Sequence, residues 1–297
     1  MNLIQPPHLK KGDKIAIVAS ARKISMQEIQ PAIDIFKSWG LEVVLSKNLF
    51  SSDNQFSGTD DERASDLQTA LDDESIKAVI SARGGYGTIR IIDKIDFTKF
   101  KQHPKWVIGY SDITVLHSHI HNFGIQTVHA TMPLNFSVNA DAVETLRQTI
   151  FGEKLSYEIP KHILNRVGSA EAEIIGGNLS LLYALTGSAS SVHTKGKILF
   201  IEDLDEYLYH IDRMMVSLKR NGKLCELAGL VVGGMTDIKD NQIPFGKTAE
   251  EIIFDAVKEY NYPVCFNFPA GHVDRNIALV LGKKMKLVVD DNGSSLT

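Results

Sequence analysis

The sequence has few features of the specialised protein classes. It has only two cysteines, Cys225 and Cys265, each in an apolar context. That rules out a disulfide framework and any Cys-x-x-Cys metal pattern, and both are expected to be buried, reduced thiols. Basic residues are not in excess: 32 Lys and Arg against 36 Asp and Glu leave a formal net charge of −4. No basic stripe suited to nucleic acid is present, and so small a net charge reports on solubility more than on site chemistry. No window approaches the roughly 20 apolar residues that cross a bilayer. The opening Met1-Asn-Leu-Ile-Gln-Pro-Pro-His8 lacks the basic, apolar and small-residue succession of a secretory signal. A cytoplasmic location with no membrane partner is therefore expected.

Nucleotide motifs are missing too. A dinucleotide fingerprint should follow the first strand, with an acid about 20 residues further on. After Ala19 the chain instead reads Ser20-Ala-Arg-Lys-Ile-Ser25, without the glycines. The later run Gly84-Gly-Tyr-Gly87 does not continue into the Gly-Lys-Ser/Thr of a phosphate-binding loop. His117 and His121 could share a helix face as metal ligands, but the Glu of a His-Glu-x-x-His site is absent, so a polar helix face is expected there.

What remains is an ordinary globular composition over 297 residues, 43% hydrophobic and 23% charged. At roughly 100–200 residues per domain, two domains are expected. In the first half, short β-branched runs alternate with amphipathic stretches: strands over Lys14 to Ala19, Leu41 to Leu45, Lys77 to Ser81, Lys105 to Gly109 and Ile125 to His129, helices over Met26 to Trp39 and Asp61 to Leu71. Pro31 is expected near the first turn of its helix and Gly40 at its stop. Strands separated by helices predict a parallel sheet, hence an α/β, Rossmann-like N-terminal domain over 1–150. Residues 151–170, with Pro160 and Gly168, read as a linker. Residues 171–297 read as a smaller C-terminal α+β domain, with a helix over Leu208 to Arg220. Two strands split by Gly282-Lys-Lys-Met285 predict a closing hairpin.

In a parallel sheet, ligand chemistry gathers where strands end and helices begin. Two such turns stand out, Ser81-Ala-Arg-Gly-Gly-Tyr-Gly87 and Gly109-Tyr-Ser-Asp-Ile113. A serine directly after an apolar strand suits a strained elbow that lifts the hydroxyl clear of the sheet. The match is partial, because Ile113 stands where the hydrolase elbow has glycine, and Ser111 or Asp112 could equally cap the following helix. Gly84, Gly85 and Gly87 let backbone N–H groups face an anion, either a phosphate or a tetrahedral oxyanion. A serine nucleophile needs a base, and the base needs an orienting group. His272 lies in the loop Pro269-Ala-Gly-His-Val-Asp-Arg-Asn276, where a base could be exposed or could be an idle surface residue. Glu202 and Asp203 follow the strand Lys197 to Ile201, and either could reach the same cleft or sit as an acid at a helix start.

Together these segments resemble the LD-carboxypeptidase family of serine peptidases, which includes muropeptide carboxypeptidases and microcin C immunity peptidases. The resemblance runs through Lys11-Gly-Asp-Lys-Ile-Ala-Ile-Val-Ala-Ser20, Arg83-Gly-Gly-Tyr-Gly87, Gly109-Tyr-Ser-Asp-Ile-Thr114, Gly176-Gly-Asn-Leu179, Phe200-Ile-Glu-Asp203, Tyr209-His-Ile-Asp-Arg213 and Gly271-His272 with Asn276. It implies a triad across two domains, with Ser111 as nucleophile, His272 as general base and acid, and Glu202 as orienter. The backbone N–H groups of Gly85 and Asp112 would form the oxyanion hole. It further implies a homodimer with no cofactor or metal. The implied substrate is a small cytoplasmic peptide, the muropeptide tetrapeptide that loses its terminal D-alanine in cell-wall recycling. The substrate carboxylate calls for a cation, with Arg83, Arg213 and Arg275 as candidates. The alternative is a peptidase of aminoacyl- or peptidyl-nucleotides, as in the immunity-type members. Those use an aromatic insertion to hold a nucleobase, and no such insert is evident between Ser111 and Glu202. A non-catalytic muropeptide sensor is a third class, opposed by competent residues at all three triad positions.

Overall fold

Hydrophobic runs and capped amphipathic helices alternate through the chain. The computed structural model describes residues 3–297. The first half runs β1 (Lys14–Val18), α1 (Met26–Ser38), β2 (Glu42–Leu45), α2 (Asp60–Asp72), β3 (Ile76–Ser81), α3 (Thr88–Ile91), α4 (Thr98–Gln102), β4 (Trp106–Gly109), α5 (Thr114–His121), β5 (Thr127–His129) and α6 (Ala140–Phe151). The second half runs β6 (Tyr157–Pro160), β7 (Gly168–Asn178), α7 (Leu179–Ala184), β8 (Ile198–Leu204), α8 (Leu208–Arg220), β9 (Gly229–Thr236), α9 (Ala249–Val257), β10 (Val264–Cys265), β11 (Leu279–Leu281), β12 (Lys284–Val289) and β13 (Gly293–Leu296).

Helices α1, α2 and α9 each begin with a capping box, Ser25 with Glu28, Thr59 with Glu62 and Thr248 with Glu251. In each, the N-cap hydroxyl accepts an orphan N–H, and the acid accepts the N-cap N–H in return. Pro31 lies in the second turn of α1, one turn deeper than its sequence position suggests.

The first sheet has the order β11-β5-β4-β3-β1-β2, parallel except for β11. Its strands bury both faces: Ile15 and Ile17 pack with α1 and α6, while Ala16 and Val18 pack with α2, α4 and α5. The second sheet has the order β10-β9-β8-β7-β12-β13-β6, a parallel run continued by antiparallel strands. Helices α7, α8 and α9 cover one of its faces, and Phe200, Phe268 and Leu287 fill the other.

Other local expectations change as well. The stretch 151–170 carries β6, an edge strand with Tyr157 and Ile159 buried, and Pro160 sits where an edge tolerates a missing N–H. The expected hairpin across Gly282 is instead a crossing between sheets. Gly282, at φ +88, turns the chain from β11, paired with β5, into β12, paired with β7 and β13. Cys225 is exposed rather than buried, while Cys265 is buried, and both are free.

Helix α5 is the joint between the two halves, and its histidines form no polar face. His117 and His121 are 1% and 6% exposed. His117 Nε2 bonds to the carbonyl of Gly109 at 2.8 Å. His121 Nε2 accepts from Lys197 Nζ at 2.7 Å, and burial followed by the lysine charge pushes its pKa down to about 3. The Asn178 N–H donates to Thr114 Oγ1 at 3.0 Å across the same seam. Gly177 must be glycine there, since a Cβ would lie 2.5 Å from Thr114 Oγ1.

Candidate active site

The chain leaves β4 at Gly109 and turns sharply into a 3-10 turn over Ser111–Ile113. Ser111 has φ 62, a left-handed conformation that costs a non-glycine residue about 1–3 kcal/mol and persists only where surrounding structure enforces it. The close approach at this elbow is made upstream of the serine. A Cβ on Gly109 would lie 2.8 Å from Ile113 Cγ1, so the glycine two positions before Ser111 makes room for the isoleucine two positions after it. Neither the 3-10 turn nor α5 carries a side-chain cap. Ser111 Oγ lies instead 3.1 Å from His272 Nε2. The Asp112 carboxylate accepts the N–H of Thr88 at 2.8 Å and so caps the neighbouring α3. Burial raises its pKa, and Oδ1 stays without a partner.

That contact ties the serine turn to the glycine turn. Gly84 presses on the serine itself, since a Cβ there would lie 2.9 Å from Ser111 Cβ and 3.1 Å from Oγ. Gly85, at φ +117, is exposed at the cleft. Buried Arg63 supports the far end of the turn, donating to the carbonyls of Gly87 at 3.0 Å and Ser20 at 2.5 Å.

Glu202 lies inside β8, fully buried, not at a helix start. Its Oε2 accepts from His272 Nδ1 at 2.7 Å and from the His272 N–H at 3.1 Å. With Nδ1–H committed to the carboxylate, Nε2 is left as a lone-pair acceptor facing the serine hydroxyl. Gly271 is required beside it, because a Cβ at this φ +104 position would fall 2.6 Å from Glu202 Oε2. Asn276 Oδ1 accepts the Gly271 N–H at 2.9 Å, and Thr236 Oγ1 donates to the His272 carbonyl at 2.6 Å, so the loop is held on both sides. Burial alone would lower the His272 pKa, but the charge and hydrogen bond of Glu202, with the charge of Asp203, raise it above the ordinary value. The Tyr110 ring packs 4.9 Å from the imidazole, and burial, with the Glu202 charge, pushes its phenol up to about 12.

Asp203 does not share this cleft. It accepts from Asn178 Nδ2 and the Leu204 N–H, both at 2.9 Å, and from the Ser180 N–H at 2.9 Å and hydroxyl at 2.8 Å. Burial and the Glu202 charge push its pKa up to about 6 against those hydrogen bonds.

The cleft holds about 430 Å³ and opens at the C-terminal ends of the parallel strands. Of the expected arginines, only Arg83 lines it. Arg213 lies over the Tyr209 ring on α8, and Arg275 faces Asp141 at 3.5 Å, both outside the cleft lining. The structure adds Arg22, on the loop after β1, and Asp205 and Glu206 on the opposite wall. Arg22 follows the strand end where ligand sites form, a signal obscured by the missing glycines around it. Among the described residues, no group of three or more His, Cys, Asp or Glu side chains converges as a metal cage.

Comparisons agree with this architecture. Residues 15–130 match the LD-carboxypeptidase N-terminal domain, and residues 171–287 match the LD-carboxypeptidase C-terminal domain. A probable murein peptide carboxypeptidase of Bacillus subtilis is 36% identical over 288 residues, covering 94% of this chain and 90% of that one. A murein tetrapeptide carboxypeptidase of Pseudomonas aeruginosa is 25% identical, covering 91% of each chain. The crystal structure of a muramoyltetrapeptide carboxypeptidase from Oxalobacter formigenes superposes with a TM-score of 0.87 at 26% identity, covering 95% of this chain and 97% of that one. The microcin C7 self-immunity protein MccF in complex with aspartyl sulfamoyl adenosine also reaches a TM-score of 0.87, covering 99% of this chain and 98% of that one; at 20% identity this is a likeness of fold alone. The class so defined is a serine-type carboxypeptidase, a hydrolase. Within it, the chain belongs to the LD-carboxypeptidase family.

Proposed function

We propose that the enzyme removes the terminal D-alanine from murein tetrapeptides in cytoplasmic cell-wall recycling, with Ser111, His272 and Glu202 as its catalytic triad. The observation that carries this reading is the hydrogen-bond chain from Ser111 Oγ through the His272 ring to Glu202, at 3.1 and 2.7 Å, joining three distant segments. Ser111 Oγ attacks the carbonyl carbon of the diamino acid's L-centre while its proton passes to His272 Nε2. The N–H groups of Gly85 and Asp112 receive the tetrahedral oxyanion, and loss of one such donor costs about 3–4 kcal/mol of barrier. The C–N bond then breaks, His272 returns the proton to the departing D-alanine nitrogen, and an acyl-serine remains. Water deprotonated by the same imidazole releases it. Glu202 stays ionised throughout and stabilises the imidazolium.

The substrate assignment draws on the murein peptide relatives. Against the nucleotide alternative stands the cleft wall: among the described residues, Tyr110 and His272 are its only ring-bearing side chains. Tyr110 is buried and the two pack on each other at 4.9 Å, whereas a nucleobase stacks on an open ring face. The chain acts as a homodimer in this reading, which light scattering tests. The chemical test is D-alanine release from a tetrapeptide by the purified protein and by Ser111→Ala. Loss of the nucleophile should remove nearly the whole triad contribution, about 10⁶ in kcat. Equal release by both proteins would refute the assignment.

A further inference from the structure

We propose that Arg22 is the residue that confines hydrolysis to the C-terminal bond, by pairing with the free carboxylate of the departing amino acid. The proposal rests on the reading above and assigns the recognition that makes the site an exopeptidase site. In a substrate losing its last residue, the carboxylate carbon lies three bonds from the carbonyl carbon under attack. Any cation that recognises it must therefore sit beside the oxyanion site.

Arg22 meets that requirement. Its stem lies against Gly85, so that a Cβ on Gly85 would come 2.6 Å from Arg22 Cδ, 2.7 Å from Cγ and 2.9 Å from Nε. It lines the same cleft as Ser111 and His272. Its backbone is held by the bridge to Phe56 and by the Lys23 N–H to Gln55 carbonyl bond of 3.0 Å. Its guanidinium, by contrast, is uncommitted: among the described residues it makes no hydrogen bond, and no carboxylate lies within 4.0 Å. Other arginines near the N-terminal site are engaged. Arg63 holds the carbonyls of Ser20 and Gly87 and Arg90 holds Asp60, while Arg83 is tied to the protein by one bond to the Lys23 carbonyl at 3.2 Å, its buried Nε being without a partner.

The polarity of the cleft sets the direction of the substrate. Asp205 and Glu206 line the wall contributed by the C-terminal domain, which among the described residues places no Lys or Arg in the lining to receive a carboxylate. Asp205 is paired with Lys239, and Glu206 accepts from Ser180 Oγ at 3.0 Å and contacts His210 Nδ1 at 2.5 Å. The carboxylate end is thereby assigned to the Arg22 wall, and a planar guanidinium can take both of its oxygens at once.

The test compares a tetrapeptide ending in D-alanine with the same peptide ending in D-alaninamide, using wild type, Arg22→Met and Arg22→Lys. A hydrogen bond to a charged group contributes about 1.5–3 kcal/mol, so the wild type should favour the acid by roughly 10- to 100-fold in kcat/KM. Arg22→Met should collapse that ratio towards one with an unchanged melting temperature, and Arg22→Lys should restore part of it. An unchanged ratio in Arg22→Met, or an equal fall on both peptides, overturns the proposal. Calorimetry with Ser111→Ala backgrounds reads the same acid-over-amide preference in binding. Loss of that preference with Arg22→Met supports the arginine assignment even where turnover on this peptide fails and refutes the substrate reading. A peptide neither bound nor cleaved overturns both.

Discussion

Glu202 grips His272 at two points through one oxygen, the ring Nδ1 at 2.7 Å and the backbone N–H at 3.1 Å. The first contact selects the tautomer and the second fixes where the loop enters the cleft. Because the carboxylate is fully buried, its field on the imidazole is little screened by water, and it overcomes the desolvation that would otherwise lower the His272 pKa. A general base works in its neutral form. The acid limb of kcat/KM should therefore lie above the ordinary histidine value of about 6.5. Glu202→Gln removes the charge and should move that limb to lower pH, while kcat falls by as much as about 10⁴, as when the acid of such a triad becomes an amide. A pH–rate profile with the limb unmoved would show that Glu202 does not control the base.

The same shift bears on stability. The folded-state pKa of His272 is raised, so its protonated form stabilises the fold fully below the unfolded value of about 6.5. That contribution is lost as pH rises through the higher folded value. Urea titrations of wild type and Glu202→Gln across this window should converge as His272 deprotonates, apart from a constant offset for the lost hydrogen-bond geometry.

Asp203, the next residue along β8, shifts in the same direction for a different reason: its charged form is disfavoured by burial and the Glu202 charge, whereas that of His272 is favoured. Its pKa is pushed up to about 6 from 3.8, so the folded chain binds its proton more tightly than the unfolded chain. The resulting penalty is absent below about 3.8, grows as pH rises towards about 6, and is constant above. Asp203→Asn should flatten that segment of the stability profile. It should also destabilise at neutral pH, because four donors converge on the carboxylate and an amide offers only one oxygen. Each buried donor left unpaired costs about 1–3 kcal/mol. Chemical denaturation from pH 4 to 8 checks both effects.

Gly84→Ala tests the contact between the glycine turn and the serine. The added methyl group would sit 2.9 Å from Ser111 Cβ in a strained elbow. Overpacking of this kind costs about 1–3 kcal/mol, which a domain of this size should survive. The serine, however, would move relative to His272, and a displacement of about 1 Å can cost roughly 100-fold in rate. The expected result is a folded protein with a large loss of kcat, read by comparing melting temperature with turnover.

The parallel strands were legible because burial on both faces writes them as unbroken apolar runs, as in Ile15 to Val18. The turns at Gly84 and Gly109 were legible because glycine marks close backbone approach. Glu202 was harder to place: a carboxylate after an apolar run reads as the end of a strand, and only the buried partner His272, 70 residues away, explains why β8 continues through it. The crossing at Gly282 looked like a hairpin because a short polar turn between two apolar runs has the same local pattern whether its strands pair together or join different sheets. His117 and His121 looked solvent-facing because their burial comes from tertiary contacts without local periodicity, the Gly109 carbonyl and the His129 ring for His117 and Lys197 for His121. Arg22 carries no local signal in the sequence, because it stands in a loop without the glycines of a ligand-binding turn and its proposed partner is the substrate.

The seam between the halves must hold the triad in register, and Gly177 is where a single atom can test it. At φ +140, Gly177 lets β7 approach α5 so closely that an added Cβ would lie 2.5 Å from Thr114 Oγ1 and 3.0 Å from its Cγ2. The same hydroxyl accepts the Asn178 N–H at 3.0 Å, and Thr114 follows directly on the turn that carries Ser111. Gly177→Ala should therefore both destabilise the fold, by roughly 2 kcal/mol or more from steric and backbone strain together, and lower kcat by moving the serine away from a histidine carried on the other half. Thr114→Ala frees the space at the expense of one hydrogen bond. Because the two residues share one contact, the double variant should be less destabilised than the sum of the single ones. Strict additivity in stability and turnover would mean that the seam at Gly177 does not position Ser111.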